Sequence, residues 1–364
     1  LEKHNTRLDR LRDRTAETKL PIIYANMVGG QDELVFDGGS FVLNSTGNLT
    51  HHLPAFKTTL AVLGFNGSQP ISAAITPHLS VEASVYNALK LGLHDYVRKN
   101  GFPGVVLGLS GGVDSALTMA IAVDALGAEN VHAVMMPSEF TADISVNDAR
   151  EMANILGVKY SEIAIKPMYE AYTAALAPQF GNLPFDATEE NLQARIRGML
   201  LMALSNKFGS IVVTTGNKSE MAVGYCTLYG DMAGGFALLK DVPKTLVYKL
   251  CNYRNGLSHA IPQRIITRPP SAELRENQLD QDSLPPYDIL DGIIEAYVED
   301  DLSHADIINM GYQSADVNRV IKLIDRNEYK RRQSPVGVRI TDRGFGKDRR
   351  YPITVKLDFD KQFT

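Results

Sequence analysis

A chain of 364 residues has length for two domains, or for one domain with additions, and its 44% hydrophobic content is that of a globular protein. Its net charge of −5 argues against a general nucleic-acid binder, and no apolar run is long enough to span a membrane. Cys226 and Cys251, with no other cysteine and no signal peptide, are too few for a disulfide framework or a zinc site, so a reducing cytoplasm is the expected setting.

Residues 1–65 read as one unit. Leu1–Leu20 is a charged helical stretch, and its opening on Leu1 rather than Met leads us to expect that sequence upstream of it has been lost or lies outside this chain. Pro21–Val28 has a strand pattern, and so has Leu34–Asn44, with Gly38–Gly39 expected as a bulge. Asn66–Ser80 is a linker by composition. Val81–Lys99 then reads as a helix, after which strands and helices alternate. Strands are predicted at Val105–Leu109, Val131–Met136, Lys159–Ala164 and Ser210–Thr215. Helices are predicted at Ser115–Leu126, Ser145–Leu156, Glu189–Ser205 and Lys244–Tyr253. Such alternation implies an α/β fold with a doubly wound parallel sheet, whose ligand sits at the carboxyl ends of the strands.

Ser110 and Thr215 both fall at such ends. Ser110–Ser115 (Ser-Gly-Gly-Val-Asp-Ser) is a small-residue turn between a buried strand and a helix. A turn of this kind aims unpaired backbone N–H groups and the positive end of the helix dipole at an anion. Its glycines allow close approach to a polyphosphate, and Asp114 adds a carboxylate suited to Mg2+ shared with phosphate oxygens. It is not a Walker A loop, since no Lys lies in the turn. A glycine-rich turn with no ligand is the plain alternative. A second constellation follows at Thr214–Gly235 (TTGNKSEMAVGYCTLYGDMAGG), where Thr215 closes a strand, Ser219 is expected to cap a helix and Glu220 to open it.

The Ser110–Ser115 loop resembles that of the ATP pyrophosphatases, which cleave ATP between its α and β phosphates. Ala25–Gly47 resembles the back half of a nitrilase-like glutaminase domain, whose Glu-Lys-Cys triad is not represented because no Cys precedes Cys226. Together with Thr214–Gly235, these segments resemble the NAD+ synthetase family in its glutamine-dependent, two-domain form. The resemblance runs from about Leu1 to Thr354; Val355–Thr364 match no pattern.

That resemblance implies an adenine nucleotide alpha hydrolase-like sheet preceded by part of a nitrilase-like α/β sandwich. The implied organisation is a glutaminase remnant at 1–65, a linker at 66–80, a synthetase domain at 81–335 and a C-terminal tail at 336–364. It implies ATP contacts at Gly108, Ser110, Gly111, Gly112, Val113, Asp114, Ser115, Thr215, Lys244 and Ser271. Asn191, Arg195, Glu220, Asp231 and Lys330 would contact the dinucleotide, Asp114 and Lys244 would act in catalysis, and Asp114 and Glu220 would hold Mg2+. Lys244 read alone is an ordinary solvated helix-start lysine. Tyr329 stands where ammonia-dependent relatives have a His, so no His role is assigned.

The implied reaction is ATP-dependent amidation of nicotinic acid adenine dinucleotide (deamido-NAD+) through an acyl-adenylate, with nitrogen from ammonia or glutamine. The adenylate must be kept from water, so the loops around Ser271–Pro286 and Lys330 are expected to close. Glu273–Asp301 holds ten acidic residues against Arg275, and Arg319–Arg350 holds eleven basic residues against four acidic ones. The first reads equally well as a solvated surface. The second suits a phosphate-rich substrate or, less well in an acidic chain, RNA. Residues 287–298 carry a broad apolar face that suits either the core or a homodimer or larger assembly. The competing functions are another ATP pyrophosphatase, such as GMP synthetase or a tRNA-modifying enzyme, and a non-catalytic nucleotide-binding module.

Overall fold

The structure, a computed structural model, describes residues 3–276 and 278–354. Its first unit combines one helix with short antiparallel strands. Helix α1 (Lys3–Thr18) is followed by β1 (Ile22–Tyr24), β2 (Val28–Gln31), β3 (Leu34–Asp37), β4 (Phe41–Leu43) and β5 (Leu49–His52). Strands β1, β4 and β5 form one sheet in the order β1-β4-β5, while β2 and β3 pair separately. The two strands predicted from the sequence are therefore four. Gly38 and Gly39, at φ +65° and +56°, break the chain between β3 and β4 instead of bulging one strand. A Cβ on Gly38 would lie 2.7 Å from Val28 Cγ2. Leu8 of α1 packs on Phe41 and Leu43. The expected linker carries a hairpin of β6 (Phe65–Asn66) and β7 (Gln69–Pro70), and Ile75 bridges back to His52.

Helix α2 (Val81–Lys99) is capped by Ser80, whose hydroxyl accepts from Ala83 N. Then follow β8 (Val105–Gly108), α3 (Val113–Leu126), β9 (Val131–Met135), α4 (Asp143–Leu156), β10 (Lys159–Glu162), α5 (Lys166–Phe180), α6 (Ala187–Phe208), β11 (Ile211–Thr214), α7 (Lys218–Val223), β12 (Phe236–Ala237) and α8 (Lys244–Leu257). The five strands are parallel in the order β10-β9-β8-β11-β12. The chain runs outward from β8 to β10, then returns to the other side of β8. That reversal opens a crevice at the carboxyl ends of β8 and β11. Alternate residues feed opposite faces: Val105 and Leu107 join the core under α2, α3 and α8, and Val106 joins the core under α5 and α6. Helix α5 was not predicted, because none of its residues is fully buried and it holds Pro178.

The remaining elements are α9 (Gln263–Thr267), α10 (Tyr287–Ile294) running into a π-helical turn at Glu295–Glu299, α11 (His304–Asn309), α12 (Ser314–Arg326) and α13 (Glu328–Arg331). Leu290, Ile293 and Ile294 pack on Val317, Val320, Ile321 and Ile324 in a second core. The apolar face of residues 287–298 is thus occupied within the chain. Residues 336–351, expected to lie in a tail, pack into the body. Val338 is fully buried, and Asp241 Oδ2 accepts from Ile340 N at 2.7 Å and Thr341 N at 2.8 Å. Val355–Thr364 lie outside the described residues. Among those described, no helix is long and apolar enough to cross a membrane.

Candidate active site

A cleft of about 410 Å3 opens at the crevice between β8 and β11. One wall is the turn joining β8 to α3. Gly111 has φ +80°, and a Cβ there would lie 2.4 Å from Ser145 O, so both conformation and space require glycine. Hydroxyls hold the turn closed. Ser110 Oγ accepts from Gly112 N, while Ser115 Oγ accepts from Ser110 N and donates to Gly112 O at 2.9 Å. Gly112 is the N-cap residue before α3, and among the described residues no side chain caps the helix. The first-turn N–H groups therefore face the cleft, with the helix dipole behind them.

Three charged side chains from distant parts of the chain meet beside this turn. Lys244 Nζ, at the start of α8 and 2% exposed, contacts Asp114 Oδ2 and stands 3.6 Å from Glu220 Oε1. Asn217 joins the two acids: its Nδ2 donates to Asp114 Oδ1 at 2.9 Å, and its Oδ1 accepts from Glu220 N at 3.0 Å. Glu220 returns the bond by accepting from Asn217 N, which completes a capping box. The helix cap is therefore Asn217, not Ser219. Ser219 points elsewhere, donating to Asp291 and accepting from Lys244 N.

Burial and the neighbouring Asp114 charge raise the Glu220 carboxyl, with Lys244 opposing. Burial works against the Lys244 ammonium, but Asp114 and Glu220 outweigh it and push its pKa up. Asp280, which accepts from Tyr287 Oη at 2.8 Å, is likewise raised by burial. The cleft floor is thus a fixed cation between acids that are short of positive charge.

The opposite wall comes from α6 and the segment after α7. Thr227 Oγ1 donates to Asn191 Oδ1, and Thr227 N donates to Asp231 Oδ1, each at 2.8 Å. Lys330 Nζ donates to the carbonyls of Gly224 and Cys226. Ser271 sits on a loop strapped over the 110–115 turn. Arg268 and Glu273 both bond to Ser145 Oγ and to each other, and Ser145 O is the atom against which Gly111 packs. Burial pushes the Cys226 thiol, also in the cleft, up to about 12, which keeps it protonated at neutral pH.

The structure brings Ser110, Gly111, Gly112, Val113, Asp114, Ser115, Thr215, Lys244, Ser271, Asn191, Glu220, Asp231 and Lys330 into this one cleft. It does not bring Gly108 or Arg195. A Cβ on Gly108 would face Met136 and Leu201, and Arg195 is exposed with its Nε on Leu228 O. Asn217, Ser145 and the Arg268–Glu273 pair are functional neighbours that sequence reasoning missed. Asn217 had a legible signal in the Asn-x-x-Glu spacing. The others had none, because Ser145 lies 123 and 128 positions from Arg268 and Glu273.

The NAD synthase family model matches residues 85–334. The chain is 54% identical over 355 residues to the glutamine-dependent NAD(+) synthetase of Acinetobacter baylyi, covering 96% of this chain and 66% of that protein. It is 45% identical over 390 residues to the same-named protein of Aquifex aeolicus, covering 98% of this chain and 69% of that one. A solved glutamine-dependent NAD+ synthetase from Acinetobacter baumannii, in complex with adenosine diphosphate, aligns with TM-score 0.72 and 52% identity over 97% of this chain and 65% of that one. NMN synthetase from Francisella tularensis aligns with TM-score 0.60 and 28% identity over 70% of this chain and 96% of its own. The chain spans about two thirds of the length of the first of these relatives.

Proposed function

The chain belongs to the NAD synthase family, and from that premise we propose that it amidates nicotinic acid adenine dinucleotide to NAD+, converting ATP to AMP and pyrophosphate. The observation that carries this reading is the uncapped start of α3 beside the Asp114–Lys244–Glu220 cluster in one cleft. The nicotinate carboxylate is already anionic and is a poor electrophile. Its oxygen attacks the α-phosphorus of ATP in line, a mixed anhydride with AMP forms, and pyrophosphate leaves. The N–H groups of the 110–115 turn meet the charge that builds on the leaving group, and Lys244, held by Asp114, supplies a fixed positive charge at the same end. Ammonia then attacks the activated carbonyl, loses a proton and displaces AMP. The strap through Arg268, Glu273 and Ser271 excludes water from the adenylate.

Two acids beside a phosphate turn, one with its carboxyl raised by burial and by the other's charge, are a donor set that fits Mg2+. Asp114 and Glu220 would hold it. When bound, the ion neutralises charge on the departing pyrophosphate. All five line the cleft, and we assign Asn191, Asp231 and Lys330 to the dinucleotide and Thr215 and Ser271 to ATP.

We assign residues 1–65 to the back part of a nitrilase-like glutaminase unit, 66–80 to a linker and 81–335 to the synthetase domain. Ammonia released from glutamine by such a unit is the nitrogen source in the longer relatives' arrangement. Within these 364 residues neither cysteine suits a glutaminase nucleophile. Cys226 lines the synthetase cleft with a raised pKa, and Cys251 is fully buried in the core. A protein of these residues takes its nitrogen from ammonium. With the 287–298 face packed inside the chain, the family resemblance alone leads us to infer a homodimer or larger assembly. Light scattering over a dilution series tests it, and a strictly monomeric, fully active species overturns it.

The reaction is tested with deamido-NAD+, ATP, Mg2+ and ammonium. AMP and pyrophosphate are expected in equal amounts; ADP and orthophosphate overturn the reading. The likeness to NMN synthetase supports a second acceptor, the mononucleotide. A higher kcat/KM for nicotinic acid mononucleotide than for the dinucleotide would establish it.

A further inference from the structure

Three histidines from separate parts of the chain converge on the N-terminal unit, away from the cleft. His4 lies in the first turn of α1, His52 ends β5, and His78 stands in the segment leading to α2. One ring nitrogen of each lies within 4.8 Å of the others. Ring centroids are 4.1 Å apart for His4 and His78, 4.5 Å for His52 and His78, and 4.8 Å for His4 and His52.

Two ring nitrogens at this junction lack partners among the described residues. His52 is 3% exposed, and its Nδ1 donates to Thr76 O at 2.5 Å. That bond fixes the tautomer and leaves the Nε2 lone pair free. Among the described residues, His52 Nε2 is buried without a hydrogen-bond partner, and so is His4 Nε2. Buried polar nitrogens left unpaired are uncommon and call for a reason. Among the described residues, the acid that acts on His4, Asp37, does not supply one. Asp37 is engaged by Arg7 at 2.8 Å and by Asn26 at 2.8 Å. Burial first, then the His78 and His52 rings, hold His4 down at about 4.

We propose that His4, His52 and His78 bind one divalent cation of the zinc class, each through a ring nitrogen, with water in the fourth position. Neutral imidazole is the commonest nitrogen ligand for such ions. A tetrahedral zinc with bonds of about 2.0–2.1 Å sets its ligand atoms about 3.3 Å apart. The ring nitrogens, within 4.8 Å of one another, would have to close by up to about 1.5 Å to reach that spacing, most easily at His78, which is exposed. The His52–Thr76 bond is the outer contact that orients a metal-bound imidazole. The ion ties α1, β5 and the linker together, where the apolar core is small. The site serves the packing of this unit and takes no part in ATP chemistry.

Tag-free protein, stripped with chelator and dialysed against Zn2+, tests the proposal, with His78→Ala as the main variant because its exposed side chain spares the fold. Wild type is expected to retain about one zinc per chain, with affinity at least about tenfold above that of His78→Ala. His259→Ala, a surface control, is expected to match wild type. Co2+ is expected to give the intense visible bands of tetrahedral coordination in wild type and not in His78→Ala. Zinc is expected to raise the melting temperature of wild type alone. Equal zinc uptake and equal Co2+ spectra in wild type and His78→Ala would overturn the site and leave the three rings as a stacked cluster.

Discussion

In the parallel sheet, neighbouring residues of one strand anchor it from both sides: Val105 and Leu107 into one core, Val106 into the other. In the N-terminal unit, Phe41 and Leu43 have a single helix to pack against, and Ile23, Met27 and Leu34 are 55%, 50% and 46% exposed. The two regions differ in where their rigidity comes from. A strand clamped on both faces holds the backbone that follows it, so a turn such as 109–112 can keep its N–H groups aimed without a ligand present. The N-terminal unit is held from outside instead. Gly30 N donates to Asp95 Oδ2 at 2.8 Å, and Lys99 Nζ donates to Gly30 O at 2.8 Å. Gly30 and Gly92 let β2 and α2 approach closely, with a Cβ on Gly30 falling 3.1 Å from Gly92 Cα. Arg339 N donates to Glu33 O, so the C-terminal segment clamps the same seam.

This contrast predicts that changes at the sheet's switch point strike chemistry, while changes at the seam strike the N-terminal unit alone. The largest effect is expected for Asp114→Asn. It keeps the turn's shape but removes the charge that holds Lys244, and the loss falls on turnover. One such electrostatic contact is worth about 3–4 kcal/mol, on the order of a hundredfold or more in kcat. A variant within a few-fold of wild type in ammonium-dependent AMP release would remove Asp114 from the mechanism.

Gly111→Ala comes next. A left-handed backbone costs a residue with a Cβ about 1–2 kcal/mol, and here the Cβ also meets Ser145 O, which the strap cannot yield without opening. We expect KM for ATP to rise on the order of tenfold, the kinetic equivalent of that strain, with a lowered melting temperature. Unchanged ATP kinetics would show that the turn is looser than its packing implies.

The smallest effect on chemistry is expected for Asp95→Ala. Removing the acceptor of Gly30 N costs about 1–3 kcal/mol, concentrated at the seam. Proteolysis within residues 1–80 should accelerate while AMP formation stays within about twofold, as for a locally opening unit. If activity and protease resistance fall together, the two regions unfold as one body and the contrast fails.

The features legible in the amino-acid sequence share a short range. The strand period, the small-residue turn and the start of α3 depend on residues a few positions apart, so Ser110–Ser115 and the sheet were legible. The Asn217–Glu220 capping box is equally local, but Ser219 beside it offers a competing cap and obscured it. Helix α5 escaped because its residues are half-exposed and lack an apolar stripe. The Gly38–Gly39 pair announced a break, but whether it bent one strand or separated two depended on where β1 and β2 found partners.

The sequence alone determined the fold class, the small-residue turn and the family resemblance, because hydrophobic period and turn chemistry act locally. Tertiary structure decided the rest. It brought Lys244 to Asp114 across 130 positions and His4 to His52 and His78. It turned the apolar face of residues 287–298 into core and packed Val338 under α2. A spacing rule shows that a face is apolar or that a side chain can ligate; what meets it is set by the summed packing of the whole chain, which no local pattern contains.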